Sequence, residues 1–246
     1  MNQDNAISLL TVIPREADDL PLGLFLVADG MGGHQGGEIA SQLAVASVVR
    51  YVLGHLLLPA LEDDMSEPIQ SLMEAAVQEA NHVIWQQARM TGSDMGTTCT
   101  VVLMLGHTLY IGHVGDSRAY LLEHGLLRKL TTDHSTIERL IQLGQLDPAD
   151  AHTHALRNQL YRTVGQQPDV QVDFLYQPIG ESTHLLLCSD GLWGMVSDSQ
   201  IAQALKTNPW PEDACRELIA LANLGGGEDN ISAVVVSLPV TERQNG

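Results

Sequence analysis

Four aspartates stand in similar surroundings. Asp29 follows the apolar run 22–28 and precedes Gly30. Asp116 follows Val114 and Gly115 and precedes Ser117. Asp190 follows Cys188 and Ser189 and precedes Gly191. Asp229 follows Gly227 and Glu228 and precedes Asn230. The shared pattern reads as a buried strand that ends, an aspartate, and then a small or turn-forming residue. A carboxylate at a strand end is rigidly held, and clustered carboxylates repel and raise one another's pKa. Divalent cations relieve that repulsion, and oxygen-only donors match Mg²⁺ or Mn²⁺. A glycine beside an aspartate lets a backbone carbonyl or a metal-bound water come close. Any single Asp-Gly pair is ordinary turn chemistry. Repetition after apolar runs is what points to a site, and spacing alone leaves the reaction open.

Other chemistries are excluded by what the chain lacks. No cysteine opens a Cys-x5-Arg loop, and there is no GxxxxGK[ST] phosphate loop or HExxH zinc motif. Gly115-Asp116-Ser117-Arg118-Ala119 lacks the final glycine of a nucleophile elbow. Cys99, Cys188 and Cys215 are odd in number, far apart and without CxxC spacing, which argues against disulfides and zinc ribbons and for a reducing cytoplasm. Twelve basic against 30 acidic residues give a net charge of −18, which repels nucleic acid and anionic membrane. The apolar stretch 48–61 is interrupted by Arg50, Gly54, His55 and Pro59 and is not read as a membrane span. The N-terminus has no signal-peptide pattern.

Periodicity gives the strands and helices that carry the aspartates. The run 22–28 reads as a buried strand, and 38–58 as a helix. Ile69, Leu72, Met73, Ala76, Val77, Ala80, Val83 and Ile84 recur at three-four spacing, the clearest amphipathic helix. Residues 97–105, 108–114 and 118–122 read as three successive antiparallel strands, with Gly106-His107 as a turn. A helix over 135–143, a strand over 183–188, helices over 198–206 and 211–224, and a strand over 231–238 complete the chain. Paired helices between runs of strands, without regular βαβ alternation, predict antiparallel sheets with helices packed outside, an α+β class. At 246 residues and 44% hydrophobic, the chain is expected to form a single domain, 1–246.

At these residues the sequence resembles the metal-dependent protein phosphatases, the type 2C Ser/Thr phosphatases, in their bacterial form. The resemblance is carried in order by Asn2-Gln3-Asp4, Asp29-Gly30-Met31-Gly32-Gly33-His34 with Gly37-Glu38-Ile39-Ala40-Ser41, and Gly96-Thr97-Thr98. It continues with His113-Val114-Gly115-Asp116-Ser117-Arg118, Leu130-Thr131-Thr132-Asp133-His134-Ser135, the stretch 154–165, Cys188-Ser189-Asp190-Gly191-Leu192-Trp193 and Asp229-Asn230-Ile231. It implies a four-layer αββα sandwich, two central antiparallel sheets flanked by helices. It also implies two Mn²⁺ or Mg²⁺ ions, bridged by a hydroxide and by Asp29. Asp190 and Asp229 would hold one, and the Gly30 carbonyl with Asp4 the other. A third ion would take Asp116 and Asp190. The implied activity is hydrolysis of phosphoserine and phosphothreonine esters, the bridging hydroxide attacking phosphorus in line. Residues 133–165 would be a flap beside the site, with His154 and Arg157 as substrate-binding candidates. Implied partners are phosphoproteins made by a Ser/Thr kinase, acted on by a cytoplasmic monomer.

Two departures from the family pattern matter. The phosphate-binding arginine expected three residues before Asn2 falls upstream of Met1, and the family's first strand with it. A shortened or mis-started N-terminus is the expectation, with weaker phosphate binding as its consequence. Met31 stands where some members carry a histidine, and Met cannot donate a proton to a leaving alkoxide. His34, His134 and His154 are the candidates by position, each set against a structural hydrogen-bonding role. Arg118 is expected to form a structural ion pair, and Trp193 to pack in the core. The rival reading is a catalytically weak regulatory module of the same fold that binds phosphoprotein. A relative acting on anti-anti-sigma factors would carry extra regulatory domains, and none is evident.

Overall fold

The computed structural model describes residues 2–15, 18–32, 36–62, 67–180 and 182–238. Ten strands, β1 (Asp4–Ile13), β2 (Leu20–Met31), β3 (Gly96–Thr97), β4 (Cys99–Leu105), β5 (Thr108–Val114), β6 (Arg118–Glu123), β7 (Leu126–Lys129), β8 (Asp173–Pro178), β9 (Ser182–Cys188) and β10 (Ala233–Ser237), form two antiparallel sheets. The first sheet runs β1-β2-β4-β5-β8, with β3 on the end of β2. The second runs β10-β9-β6-β7. Helices α1 (Gly36–Val52) and α3 (Ile69–Thr91) cover the first sheet. Helices α5 (Asp190–Trp193), α6 (Asp198–Thr207) and α7 (Pro211–Leu224) cover the second. The order helix, sheet, sheet, helix is the four-layer αββα sandwich that the resemblance implied.

Side-chain alternation on the strands produces these layers. Along β2, Leu24, Leu26 and Ala28 face α1 and α3, while Phe25 and Val27 face the second sheet. The strand is buried on both sides, so it reads as an unbroken apolar run. Leu121, Leu185, Leu187 and Val236 fill the opposite half of the inter-sheet core. The three-four stripe of α3 lies against the first sheet through Leu72, Met73, Ala76, Ala80 and Ile84, and Gly92 ends the helix in the left-handed region.

The structure corrects four expectations. The strand expected to end before Asp29 continues through Asp29 and Gly30 to Met31. The strand β6 does not continue the meander of β4 and β5; it crosses to the second sheet, between β7 and β9. Asp229 does not follow a strand; it lies in the loop after α7 and precedes β10. The helix expected over 38–58 begins at Gly36, passes through a π-helical turn Leu53–Leu57, and continues as α2 (Leu58–Leu61). Pro59 fits there because the first turn of a helix needs no proline N–H. The combined stretch Gly36–Leu61 is long and apolar enough to cross a membrane by length and composition alone. Here Ala40, Ala44, Val48 and Val52 are core residues.

Between β7 and β8 lies the segment expected as a flap. It contains α4 (Thr136–Gln142), N-capped by the Ser135 hydroxyl, and a 3-10 turn Pro148–Thr153. Isolated bridges Ser135↔Leu160 and Thr97↔Val164 pin its two ends.

Candidate metal centre

Five aspartates meet at one end of the sandwich, and local structure places each. Asp4 begins β1 and lies directly opposite Asp29 on β2. Like charges in cross-strand register repel. Asp4 is buried, at 7% exposure; its Oδ2 accepts from the Ser189 hydroxyl at 2.7 Å, and its Oδ1 has no partner. The same Ser189 hydroxyl receives the Ser232 N–H at 3.0 Å. One serine thus ties the start of β1 to the exit of β9 and the approach to β10, across both sheets. The Asn230 side chain accepts the Gln3 N–H at 2.6 Å, which sets the Asp229 loop beside Asp4.

Asp29 is positioned by Thr97 and Thr98. Its N–H donates to Thr98 Oγ1 at 2.9 Å, and its carbonyl accepts from the Thr98 N–H and the Thr97 hydroxyl, each at 2.8 Å. The Thr98 hydroxyl lies 2.7 Å from that of Ser117, the neighbour of Asp116. The Asp29 carboxyl lies close enough to those of Asp190 and Asp4 for the three to act on one another's protonation. Burial, then the charges of Asp190 and Asp4, push Asp29 up to about 10. Burial first and neighbouring carboxylates after it raise Asp4 and Asp190 as well.

Glycines let backbones close around these acids. A Cβ on Gly30 would lie 2.0 Å from the Gly37 carbonyl oxygen, and one on Gly191 would lie 2.0 Å from that of Asn230. What approaches the glycines is therefore backbone of α1 and of the Asp229 loop. Asp190 is the first residue of α5, and its Oδ1 is buried without a partner. Asp229 is exposed; its Oδ1 accepts the Asn230 N–H at 2.7 Å, and its charge acts on both Asp4 and Asp190.

Asp116 sits on the crossing from β5 to β6. Gly115 takes a φ of +109°, and a Cβ there would strike Thr98 at 2.6 Å. The Asp116 carboxyl is buried and pushed up to about 8, by desolvation first and then by Asp190 and Asp133. Its carbonyl accepts the Trp193 indole N–H at 3.0 Å. Trp193 in turn lies under Arg118, whose guanidinium carbon is 3.6 Å from the ring centroid. Arg118 makes the expected ion pair, with Asp133 at 2.6 Å, and donates to the Tyr120 hydroxyl at 2.9 Å. Trp193 is thus half-buried and bonded to the site rather than only a core residue.

The histidine candidates separate. His134 is structural: its Nδ1 accepts the Gly115 N–H at 3.0 Å, so the proton is on Nε2, which faces Asp173 at 3.1 Å. Asp173 also takes Arg162 as an ion-pair partner. His154 is half-buried, and its Nδ1 accepts the Leu156 N–H at 3.2 Å. Arg157 is exposed and pairs with Glu228 at 3.6 Å, beside Asp229. His34 lies outside the described residues. Sequence reasoning missed the positioning roles of Thr98, Ser117, Ser189, Asn230 and Asp133. The motifs Gly96-Thr97-Thr98 and Cys188-Ser189-Asp190 contained two of them, Thr98 and Ser189, without a sign of what they bond.

Among the described residues no three His, Cys, Asp or Glu side chains already form a closed coordination cage. The carboxylates instead crowd one another, with Asp4 Oδ1 and Asp190 Oδ1 buried and unbonded. Such orphaned anionic oxygens are costly without a cation, and an all-oxygen donor set suits Mg²⁺ or Mn²⁺.

Comparison with known proteins gives the same direction. The protein phosphatase 2C family model matches residues 15–218. The chain is 36% identical over 226 residues to the serine/threonine phosphatase stp of Listeria monocytogenes, covering 89% of this chain and 86% of that protein. The crystal structure of serine/threonine phosphatase Stp1 from Staphylococcus aureus superposes with a TM-score of 0.81 at 27% identity, covering 97% of this chain and 90% of that one. The catalytic domain of serine/threonine protein phosphatase PstP, solved in complex with two manganese ions, superposes with a TM-score of 0.75 at 32% identity, covering 97% and 99%. The chain belongs to the protein phosphatase 2C family, the metal-dependent protein serine/threonine phosphatases.

Proposed function

We propose the following roles within that activity. Asp29, Asp190 and Asp229, with Asp4 and the Gly30 carbonyl, hold two divalent cations, Mn²⁺ or Mg²⁺. Asp116 and Asp190 hold a third. The observation that carries the reading is Asp29, an acid pushed up to about 10 between two others that each present a buried, unbonded oxygen. The two manganese ions of the PstP structure support the pair of cations. Bound here, such a pair supplies Lewis acidity toward phosphoryl oxygens and a nucleophilic water at neutral pH.

The protein's own groups do the rest. Asp29 carries a proton at neutral pH in the metal-free state and gives it up on loading, so cation affinity rises with pH. Ser189, Thr98 and Asn230 fix the carboxylates before the substrate arrives, which removes reorganisation from the reaction. Met31 donates no proton, so the leaving seryl or threonyl oxygen takes its proton from solvent or another group. The substrates are phosphoproteins made by an opposing Ser/Thr kinase. The acidic surface disfavours nucleic acid and anionic membrane, in keeping with a cytoplasmic monomer.

Hydrolysis of p-nitrophenyl phosphate and of a phosphothreonine peptide with Mn²⁺, with and without chelator, tests the assignment. Turnover should vanish with chelator and in Asp29→Asn, Asp190→Asn and Asp229→Asn. Chelator-resistant turnover, or a fully active variant, refutes it. A protein that binds phosphopeptide without cleaving it would favour the regulatory module.

A further inference from the structure

A cavity of about 580 Å³ opens directly beside Asp190 and Asp229. One wall is the flap helix α4, through Ile137 and Ile141. The other is the turn after α5, through Met195 and Val196, with Trp193 next to them. Its size falls within the range of small-ligand sites, roughly 300–1,000 Å³. Of the other carboxylates that line it, Glu138 pairs with Lys129 at 3.5 Å, Glu228 pairs with Arg157 at 3.6 Å, and Asp198 accepts from the Tyr120 hydroxyl at 3.3 Å. The two arginines that line it are engaged, Arg118 with Asp133 and Arg157 with Glu228.

We propose that this cavity seats an apolar side chain of the phosphoprotein substrate, one within about three residues of the phosphorylated serine or threonine. The inference rests on the metal-site reading above, because the phosphate must lie at Asp190 and Asp229 for its neighbours to cross this cavity. Consecutive Cα atoms are about 3.8 Å apart, so a residue up to three positions away still reaches the walls. Apolar walls admit an aliphatic or aromatic side chain. An aspartate or glutamate entering it would leave water for a site whose arginines already have carboxylate partners, at a desolvation cost that an aliphatic side chain does not bear. A phosphopeptide carrying acidic residues around its phosphate is therefore the disfavoured class.

The test uses phosphothreonine peptides with an alanine background. A single leucine or a single aspartate is placed at each of the three positions on either side. At one or more positions leucine should exceed aspartate in kcat/KM by about tenfold or more. Ile141→Asp and Met195→Asp, both half-buried in the native protein, should reduce that ratio at least about threefold, with circular dichroism reporting their folding. Fluorescence anisotropy with non-hydrolysable phosphonate peptides measures the same preference without turnover. Equal kcat/KM and equal affinity for leucine and aspartate peptides at every position overturn the proposal. A preference unchanged in both folded variants also overturns it. Loss of p-nitrophenyl phosphate turnover in the native protein speaks against the metal-site reading, while anisotropy still decides the cavity.

Discussion

Replacing Asp29 with Asn should stabilise the metal-free protein and abolish its response to cations. Asp29 is raised from 3.8 to about 10 in the folded state. A carboxyl raised in this way contributes stability that is fully present below the unfolded value and is lost as pH rises toward the folded one. At pH 7 the loss is about 4 kcal/mol at 1.36 kcal/mol per unit. Partial solvent access reduces it to about 2 kcal/mol. The neutral amide never incurs this loss. At ~2–4 °C per kcal/mol, metal-free Asp29→Asn should melt about 4–8 °C above the metal-free native protein. Mn²⁺ at a hundred times its dissociation constant should raise the native protein by about 2.7 kcal/mol. The order of the two melting temperatures then inverts or closes. Differential scanning calorimetry with and without chelator reads both effects. A metal-free variant that melts at or below the native protein, or an undiminished Mn²⁺ shift in the variant, refutes the placement of Asp29 between competing carboxylates as the source of the strain.

Arg118→Met leaves Asp133, 3% exposed, with Lys129 at 3.3 Å as its remaining ion-pair partner among the described residues. It should cost about 3 kcal/mol in urea denaturation, with recovery when Asp133 becomes Leu as well. His113 is buried and depressed to about 4, mainly by desolvation and then by His134. Its stabilising contribution is present above pH 6.5 and fades as pH falls toward 4, so the native protein should lose about 2 kcal/mol more unfolding free energy than His113→Gln between pH 7 and 5; parallel profiles for the two would contradict this. Gly191→Ala must displace the Asn230 carbonyl. It should lower stability by about 1–3 kcal/mol yet cut phosphopeptide turnover at least about tenfold, and a variant with native kcat would show that the Asp229 loop tolerates the shift.

Much of this was readable before any fold was known. Helix α3 was clear because one stripe, with Leu72, Met73, Ala76 and Ala80, repeats at the helical period within a helix of 23 residues. The central strand β2 was clear as an apolar run, but its end was not. Asp29 is polar, and nothing local shows that strand pairing continues through it to Met31. Three strands escaped: β1, an edge strand with mixed side chains such as Asn5, Ser8 and Thr11, and the short β7 and β8. The crossing of β6 to the second sheet is a topological choice, and short connections alone favour the simpler meander.

Residue types and their order were enough for the available chemistry: a spaced set of aspartates with adjacent small residues, no competing nucleophile motif, and an ordered motif set belonging to one family. Those are matters of residue type and order, which survive unfolding. Which acids repel which depends on contacts made in the folded chain. Asp4 faces Asp29 because β1 and β2 pair in that register. Asp4 is tied to Ser189 across 185 positions of chain. The Asp116 carbonyl is held by the indole of Trp193, 77 positions further along the chain. Burial and proximity set the pKa values, and both depend on contacts between segments that lie far apart in the chain.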